Sequence, residues 1–363
     1  MKRILQVISS LSQGGTEAVV LNYLNNISDA NISFDFLVIW GNSKKFYDDY
    51  LISKGCKIFR MKHPPTDFFA HGKELYEFFK NNHYDAVHIH AMSALRYRVA
   101  RAAKKSGVKK VIYHSHSSSS QKHLLLHKLS KNKLNKWCDY KFACSKAAGK
   151  YMYNGDFAVI KNAIDLNFFA FNETSRQELC DKYNLKGKFV IGNVGRLTEV
   201  KNQKFLLNVF NEFCKSDANA VLLIVGDGPE KENLRNVAEQ LDISKNVIFT
   251  GNVGNEVYKY YSLFDVLAFP SLFEGLSMVL IEAQANGLPV FASDTLSKEH
   301  KISENFIFLP ISETGENYKA WANALTSVKN GDIKRQNNSD ALTHAGYDIK
   351  IEAEKLQSFY LSL

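Results

Sequence analysis

The sequence has few cysteines, few prolines and no long apolar segment. Its 363 residues include 5 Cys and 6 Pro, and no two cysteines form a Cys-x-x-Cys pair. Scattered single cysteines argue against a disulfide framework or a cysteine-ligated zinc site, and they favour a reducing, cytoplasmic compartment. No apolar run approaches the roughly 20 residues that cross a bilayer. The 45% of hydrophobic residues excludes an intrinsically disordered chain.

Two common nucleotide-site motifs are also missing. The chain contains neither Gly-x-Gly-x-x-Gly nor Asp-x-Asp. The first absence argues against a simple dinucleotide-dependent dehydrogenase, because that fingerprint carries the pyrophosphate. His114 and His116 have no cysteine or carboxylate cluster beside them, so they are a weak metal signal. We therefore expect no metal and no cofactor.

Acidic residues are scarce in the first half of the chain. Residues 1–165 contain 26 Lys or Arg and 12 Asp or Glu, a net charge of +14, whereas residues 166–363 contain 20 and 25, a net charge of −5. Between Arg96 and Lys161 there are 16 basic residues and two acidic ones. This asymmetry predicts that the first half meets an anionic partner. Nucleic acid is disfavoured because no recognition module or stacking array is visible.

Short β-branched and aromatic runs alternate with amphipathic helical stretches along the whole chain. Such alternation predicts parallel sheets covered by helices on both faces. The pattern runs twice, with a break near residues 162–175 that is expected to be a linker. We predict an N-terminal domain of residues 1–165 with a final helix of residues 346–363 crossing back to it, and a C-terminal domain of residues 166–345.

Several motifs fall where a predicted strand ends, which is where ligands bind in doubly wound folds. Gly14 and Gly15 open the first helix, whose free N–H groups favour an anion. Arg196 and Lys201 follow the first strand of the second half, and two cations there suit a diphosphate. The alternative for Gly14 and Gly15 is a plain strand-to-helix turn, and for Arg196 and Lys201 it is surface charge on a loop. The segment Gly226–Pro229 is interpreted as a tight turn rather than a phosphate loop.

The most informative segment is Glu274 to Glu282. It follows a strand and enters a helix, with Ser277 as the expected N-cap and the N–H groups of residues 276–279 free for an anion. Carboxylates beside an anion site are explained if they accept hydrogen bonds from hydroxyls of a sugar or ribose. The alternative is a loop glutamate and a surface glutamate.

His114 and His116 end a strand and point to one face by alternation. Either ring could reach a substrate hydroxyl or a main-chain carbonyl, and the sequence leaves the choice between them open. His88 and His90 are interpreted as structural.

A basic amphipathic helix is predicted within residues 121–141. Its apolar positions include Leu125, Leu129 and Trp137, and its cationic residues are Lys122, Lys128, Lys131, Lys133 and Lys136. This combination is typical of a helix that binds an anionic membrane surface. A helix that packs on its own sheet is the alternative.

Taken together, these motifs resemble the retaining glycosyltransferases of family 4. The family's Glu-x7-Glu pattern is matched by Glu274 and Glu282, its Gly-Arg…Lys pattern by Gly195, Arg196 and Lys201, and its N-terminal loop by Gly14 and Gly15. The similarity covers essentially the whole chain and is most specific between Val194 and Asp294. It implies an α/β protein of GT-B fold, with two doubly wound Rossmann-like domains whose parallel sheets face across a cleft.

The resemblance also implies residue roles. Arg196 and Lys201 would bind the donor diphosphate, Glu282 the ribose, and Glu274 the donor sugar. The backbone of Gly275, Leu276, Ser277 and Met278 would lie near sugar and phosphate, with Gly14 and Gly15 approaching from the first domain. His116 matches the family's strand-end histidine near the transferred sugar. Ser277 stands where many relatives have Pro or another small residue, a departure expected to bear on the choice of sugar.

The implied function is transfer, with retention, of a hexose or N-acetylhexosamine from a nucleotide sugar, UDP being the expected nucleotide. The acceptor would be a lipid-linked saccharide in capsule, exopolysaccharide or lipopolysaccharide assembly at the inner face of the membrane. The absence of Asp-x-Asp favours a metal-independent site, and the resemblance implies a front-face reaction without a covalent intermediate. A nucleotide-sugar epimerase or hydrolase of the same fold is the alternative.

Overall fold

A computed structural model of the protein describes residues 1–12, 14–41, 43–117 and 124–363, with the backbone alone for Leu124. Lys122, predicted to contribute to the cationic helix face, lies outside these residues. The chain forms two compact units, an N-terminal unit of residues 1–164 and 348–363 and a C-terminal unit of residues 165–347. The boundaries predicted from the sequence lie at residues 165 and 346.

The N-terminal unit is built on a seven-stranded sheet in the order β3-β2-β1-β4-β5-β6-β7. All its strand pairings are parallel. The strands are β1 (Lys2–Ile8), β2 (Ile32–Val38), β3 (Ile58–Arg60), β4 (Ala86–Ala91), β5 (Lys110–Ser115), β6 (Tyr140–Ala143) and β7 (Ala158–Val159).

The C-terminal unit has a six-stranded sheet in the order β10-β9-β8-β11-β12-β13, again with parallel pairings. Its strands are β8 (Val190–Val194), β9 (Val221–Val225), β10 (Val247–Gly251), β11 (Val266–Phe269), β12 (Val290–Ser293) and β13 (Phe306–Leu309). The reversal of strand order between β8 and β11 places the loops after these two strands side by side. That is where a doubly wound sheet binds its ligand.

The described residues form fifteen α-helices between and after these strands. They are α1 (Gly15–Asn26), α2 (Asp48–Ser53), α3 (Phe68–Asn81), α4 (Tyr97–Lys105), α5 (Leu124–Trp137), α6 (Lys146–Met152), α7 (Leu166–Phe169), α8 (Glu173–Tyr183), α9 (Gln203–Cys214), α10 (Lys231–Gln240), α11 (Val257–Leu263), α12 (Met278–Ala285), α13 (Gly315–Lys329), α14 (Ser339–His344) and α15 (Ile349–Ser362). Within the described ranges, every helix is too short or too polar to span a bilayer.

Most strand residues are apolar, as expected where helices cover both faces of a parallel sheet. In the C-terminal unit one core cluster contains Phe205 and Trp321, and a second contains Phe264 and Leu280. In the N-terminal unit Ile8 and Phe36 belong to a further buried cluster. The predicted fold class, two Rossmann-like domains with parallel sheets, is therefore confirmed.

The segment expected to be a linker, residues 162–175, contains the boundary between the two units and is partly helical. This segment contains α7 and the start of α8. The Asp165 carboxylate accepts the N–H groups of Asn167 and Phe168, and the Asn172 side chain accepts that of Ser175. Because Asn and Asp satisfy the free N–H groups at a helix start, two helices begin within the segment where a break in the strand–helix alternation predicted a linker.

Candidate active site

The loops after β8 and β11 are joined to each other at two points. The Leu272 N–H donates to the Val200 carbonyl at 2.8 Å, and the Asn202 side-chain amide donates to the Pro270 carbonyl at 3.3 Å. Two segments some 70 residues apart in sequence thus form a single edge of the C-terminal unit.

Lys201 and Glu274 form an ion pair at this edge. The Lys201 Nζ lies 2.5 Å from Glu274 Oε1, and both side chains are mostly buried. The ammonium also lies 5.1 Å from the centre of the Phe269 ring, which favours a cation over its face. The pair fixes the Glu274 carboxylate in one direction and leaves further N–H bonds of Lys201 for another anion.

Arg196 is exposed, and no hydrogen bond or ion pair of its guanidinium is found among the described residues. Its backbone is nevertheless held, because the Arg196 carbonyl accepts from the Gln203 side chain at 3.3 Å. The neighbouring Gly195 N–H donates to the Val225 carbonyl at 2.9 Å. Arg196 therefore offers an uncompensated charge on a fixed backbone beside Lys201.

The turn at residues 226–229 packs directly against the backbone of the Arg196 loop. A Cβ on Gly226 would lie 2.0 Å from the Gly195 carbonyl oxygen, and one on Gly228 would lie 2.2 Å from that of Leu197. Only glycine permits this approach, and Gly226 also has a φ of 137°. The geometry agrees with the tight-turn interpretation, since these glycines face protein backbone.

Glu282, on α12, has a buried carboxyl whose Oε2 accepts the Tyr261 hydroxyl at 2.6 Å. Burial raises the pKa of Glu282 to about 7, while the Tyr261 hydrogen bond acts in the opposite direction. A carboxyl near its titration point can accept or donate hydrogen bonds to hydroxyls. Sequence reasoning missed Tyr261, because nothing in its local pattern indicates a contact with Glu282.

The loop before α12 differs from the prediction in one respect. Ser277 occupies the N-cap position, but its side chain makes no capping hydrogen bond. Its N–H is not free for an anion, because it donates to His300 Nε2 at 3.1 Å. The predicted N-cap position is confirmed, but Ser277 does not cap through its side chain, and the prediction of a free N–H at Ser277 is wrong. The reason is a tertiary contact that the local sequence does not show.

In the N-terminal unit, Gly14 is the N-cap of α1 and Gly15 its first residue. The Glu17 carboxylate lies in the first turn, where it accepts the Ser10 hydroxyl at 2.9 Å. Arg96 donates to Ser9 Oγ at 2.9 Å, and its Nη1 is buried with no hydrogen-bond partner among the described residues. Arg96 thus adds a cation near this helix start, which sequence reasoning noted only as part of a basic stretch.

Four histidines form a cluster on one face of β4 and β5. His88, His90 and His114 are buried, and His116, directly after β5, is partly exposed although its Nδ1 is buried. His90 Nδ1 lies 2.9 Å from His116 Nε2, and His90 Nε2 lies 2.8 Å from Gln6 Oε1. His116 is therefore the outer member and His114 the inner one.

Among the described residues, the three buried histidines of this cluster have potential ligand atoms close enough to one another to bind a metal ion. The candidate ligand atoms of His88, His90 and His114 all lie within 4.8 Å of one another. His88 stacks on His90 at 22° and on His114 at 16°. A metal lies in the plane of each imidazole that binds it, so stacked rings cannot converge on one ion. Both nitrogens of His90 are also already hydrogen-bonded.

Helix α5 exposes apolar and cationic side chains together. Leu125, Leu126 and Leu129 are 71%, 50% and 61% exposed, while His127 and Leu134 are buried on the opposite side. Lys128, Lys133 and Lys136 are exposed, and Lys131 is partly exposed with its ammonium on the Lys150 carbonyl at 3.2 Å.

Comparison with known proteins gives the family. The family model "Glycosyl transferases group 1" matches residues 175–343, and the model "Glycosyltransferase Family 4" matches residues 13–168. The chain belongs to glycosyltransferase family 4. It is accordingly a glycosyltransferase, and the predicted family and enzyme class are confirmed.

Among its relatives, "Putative glycosyltransferase EpsF" of Bacillus subtilis (strain 168) is 28% identical over 99% of this chain and 96% of its own length. A Campylobacter jejuni N-acetylgalactosamine-N,N'-diacetylbacillosaminyl-diphospho-undecaprenol 4-alpha-N-acetylgalactosaminyltransferase is 29% identical over 55% of this chain and 52% of its own length. The crystal structure of Anabaena Alr3699/HepE in complex with UDP superposes with a TM-score of 0.81, at 18% identity, over the whole of both chains. That similarity shows the GT-B fold.

The structure places the site residues predicted by the family resemblance in two groups. The C-terminal unit brings together Arg196, Lys201 and Glu274 at one edge, with the loop of Gly275, Leu276, Ser277 and Met278 leading to Glu282. The N-terminal unit holds Gly14, Gly15 and His116 at the carboxyl ends of β1 and β5. Their roles in binding and catalysis stay predictions.

Proposed function

We propose that this glycosyltransferase moves a hexose or N-acetylhexosamine, with retention, from a UDP-sugar to a lipid-linked saccharide in surface polysaccharide synthesis. The observation that carries the proposal is the exposed Arg196, which has no partner among the residues that the structure describes, beside the Lys201–Glu274 ion pair. This edge offers cations for a diphosphate and a fixed carboxylate for sugar hydroxyls within one set of loops. The HepE structure, which contains UDP, supports the choice of nucleotide.

The two cations act on the leaving group. As the bond between the sugar and the diphosphate breaks, negative charge grows on the departing phosphate oxygens. Arg196 binds those oxygens bidentately, and Lys201 adds a compact charge beside them. Because the loop backbone is already fixed, these charges need little reorganisation in the transition state. Such charge neutralisation by side chains leaves the proposed reaction metal-independent.

Glu282 holds the ribose. Its Oε2 is occupied by Tyr261, so Oε1 remains for a ribose hydroxyl. The Tyr261 hydroxyl stabilises the charged form of the carboxyl, opposing the effect of burial. Glu274 binds hydroxyls of the donor sugar, and the N–H groups of Gly275, Leu276 and Met278 lie near sugar and phosphate. In the N-terminal unit, Gly14 and Gly15 approach the phosphate and His116 the transferred sugar.

The chemistry proposed is a front-face displacement. The carboxylate of Glu274 is engaged by Lys201, which makes it a poor nucleophile and a good hydrogen-bond acceptor. The leaving phosphate accepts the proton of the acceptor hydroxyl while the new bond forms on the same face. No glycosyl-enzyme is formed, so mass spectrometry during turnover should detect no sugar on Glu274.

A lipid-linked acceptor is supported by two observations. The Campylobacter relative is named for transfer to a diphospho-undecaprenol-linked saccharide, and the basic residues of this chain concentrate between Arg96 and Lys161. A basic unit suits both the diphosphate of such an acceptor and the anionic surface that contains it. We therefore propose that the enzyme acts at the inner face of the membrane, as a peripheral protein.

The donor is tested with a panel of nucleotide sugars and the free nucleotides UDP and GDP. A ligand at a hundred times its Kd stabilises the folded protein by about 2.7 kcal/mol, so we expect UDP and one UDP-sugar to raise the melting temperature by several degrees. Transfer to a lipid-diphosphate saccharide then gives the anomeric coupling by NMR, and an α-product from an α-donor is expected. Stabilisation by GDP alone would contradict the UDP assignment. Rapid formation of an epimer or free sugar without acceptor would favour the epimerase or hydrolase alternative.

The membrane role of α5 gives a separate prediction. The triple variant Leu125→Ser/Leu126→Ser/Leu129→Ser should lower cosedimentation with phosphatidylglycerol vesicles at least about tenfold, because each buried leucine contributes about 1.5–3 kcal/mol. Charge reversal at Lys128 and Lys133 should do the same at low salt. Ile52→Ser is the control, since Ile52 is exposed on α2. Equal binding by the triple variant and the wild type would exclude α5 as the membrane contact.

A further inference from the structure

His300 and Ser277 meet in the interior of the C-terminal unit. His300 is fully buried in the 3-10 turn Lys298–His300, which follows β12. The Ser297 carbonyl lies 2.9 Å from His300 Nδ1. Since a carbonyl only accepts, Nδ1 carries the proton and Nε2 of the neutral ring is left as an acceptor. The N–H of Ser277 donates to that Nε2 at 3.1 Å.

The backbone of His300 is fixed from α12 itself. The Gln284 side chain donates to the His300 carbonyl at 2.9 Å, and its oxygen accepts the N–H groups of Ile302 and Ser303, each at 2.9 Å. A second contact reaches the loop that contains Ser277, because the Thr295 hydroxyl donates to the Leu272 carbonyl at 3.0 Å. Hydrogen bonds from the segment 293–303 thus fix the backbone of residues 272–277.

We infer that His300 is a positioning residue for the donor-binding loop, residues 274–278, which it holds by accepting the Ser277 N–H. This inference rests on the proposed function, because it assigns the loop to donor binding. His300 touches no substrate. It satisfies a buried N–H at the start of α12 and so fixes the directions of the neighbouring N–H groups and of Glu274. Burial lowers the pKa of His300, which keeps the accepting lone pair available.

The structure also indicates when His300 would be dispensable. Ser277 has a φ of −76°, within the range that proline imposes. Ser277→Pro removes the N–H and leaves that angle as it is, so nothing remains for His300 to accept. The loss caused by His300→Ala should therefore be partly rescued by Ser277→Pro in the same chain. Simple loss of packing at His300 would not be rescued in this way.

Hydrogen–deuterium exchange of the whole apo protein tests the contact without any ligand. In His300→Ala, amides of residues 272–280 should exchange about tenfold faster, since one buried hydrogen bond is lost. Exchange of β9 should not change. His300→Gln retains an acceptor at the position of Nε2, whereas His300→Asn retains only a donor toward Ser297. We expect Gln to restore protection and Asn not to. Unchanged exchange in His300→Ala, or equal exchange in the Gln and Asn variants, would overturn the inference.

Calorimetric titration with UDP tests the consequence for binding. His300→Ala should weaken UDP binding about tenfold, and Ser277→Pro/His300→Ala should bind within about threefold of the wild type. Equal weakening in the single and double variants would overturn the positioning role. If the wild type binds no UDP, the proposed donor is wrong. The exchange experiment then decides alone whether His300 positions the loop.

Discussion

Arg196→Ala is expected to lower kcat/KM for glycosyl transfer at least about a hundredfold, the usual loss when one preorganised charge-stabilising group is removed. The change should leave stability intact, because the guanidinium is exposed and no partner is found for it among the described residues. A melting temperature within about two degrees of the wild type is expected, as for other exposed substitutions. Initial rates with the donor found in the panel, together with thermal melts, measure both quantities.

Two further variants separate charge from geometry at this position. Arg196→Lys keeps the positive charge but loses the planar fork, so its rate should fall between those of the wild type and the alanine variant. Lys204→Ala removes an exposed charge from the first turn of α9, close in sequence but outside the proposed site, and should retain full activity. If Arg196→Ala keeps more than half of the wild-type rate, the diphosphate does not bind at this edge.

Lys201→Ala is a less selective experiment. Its removal takes away a cation and also leaves the mostly buried Glu274 carboxylate without its partner. Breaking a buried pair on one side destabilises a protein by several kcal/mol. A loss of activity in Lys201→Ala would therefore mix binding, catalysis and folding, whereas Arg196 reports on the anion alone.

The fold and the edge that carries the site could be predicted because both depend on local pattern. Alternating strands and helices, together with glycines and cations at strand ends, suffice to indicate two parallel sheets and ligand-binding loops. The contacts that complete the site could not be predicted. Lys201 and Glu274 lie 73 positions apart, and Tyr261 meets Glu282 only after α11 packs beside α12. The same limit explains the errors at Ser277, whose N–H goes to His300 and not to a ligand.

The histidine cluster of the N-terminal unit is expected to make the stability of that unit strongly dependent on pH. Burial lowers the pKa of His88, His90 and His114, with mutual repulsion as a further cause, and burial lowers that of His116 to about 4. Gln6 and Tyr360 bond to the cluster, and no carboxylate forms an ion pair with any of its four rings among the described residues. Within the described part of the chain, the cluster therefore has no anionic partner to compensate an added proton.

Proton uptake on unfolding decides whether stability rises or falls with pH. Below the unfolded pKa of about 6.5, the unfolded chain binds more protons at these positions than the folded one, so stability falls as the pH falls. Above that pH the rings are neutral in both states and contribute no pH dependence. Each histidine contributes at most about 1.4 kcal/mol per pH unit. Four together exceed the stability of an ordinary domain, about 5–15 kcal/mol, within a few pH units.

We therefore expect the N-terminal unit to unfold between about pH 6 and pH 4. Hydrogen exchange of β4 and β5 monitors this unfolding, and exchange of the strands of the C-terminal unit is the reference. His114→Leu removes two buried nitrogens that have no partner in hydrogen-bond geometry among the described residues. This variant should be at least as stable as the wild type at pH 7.5 and should shift the acid midpoint to lower pH, since one fewer proton is taken up. His83→Leu, at an exposed histidine, should leave the midpoint unchanged. An equal midpoint in His114→Leu and the wild type would show that carboxylates, and not this cluster, set the acid limit.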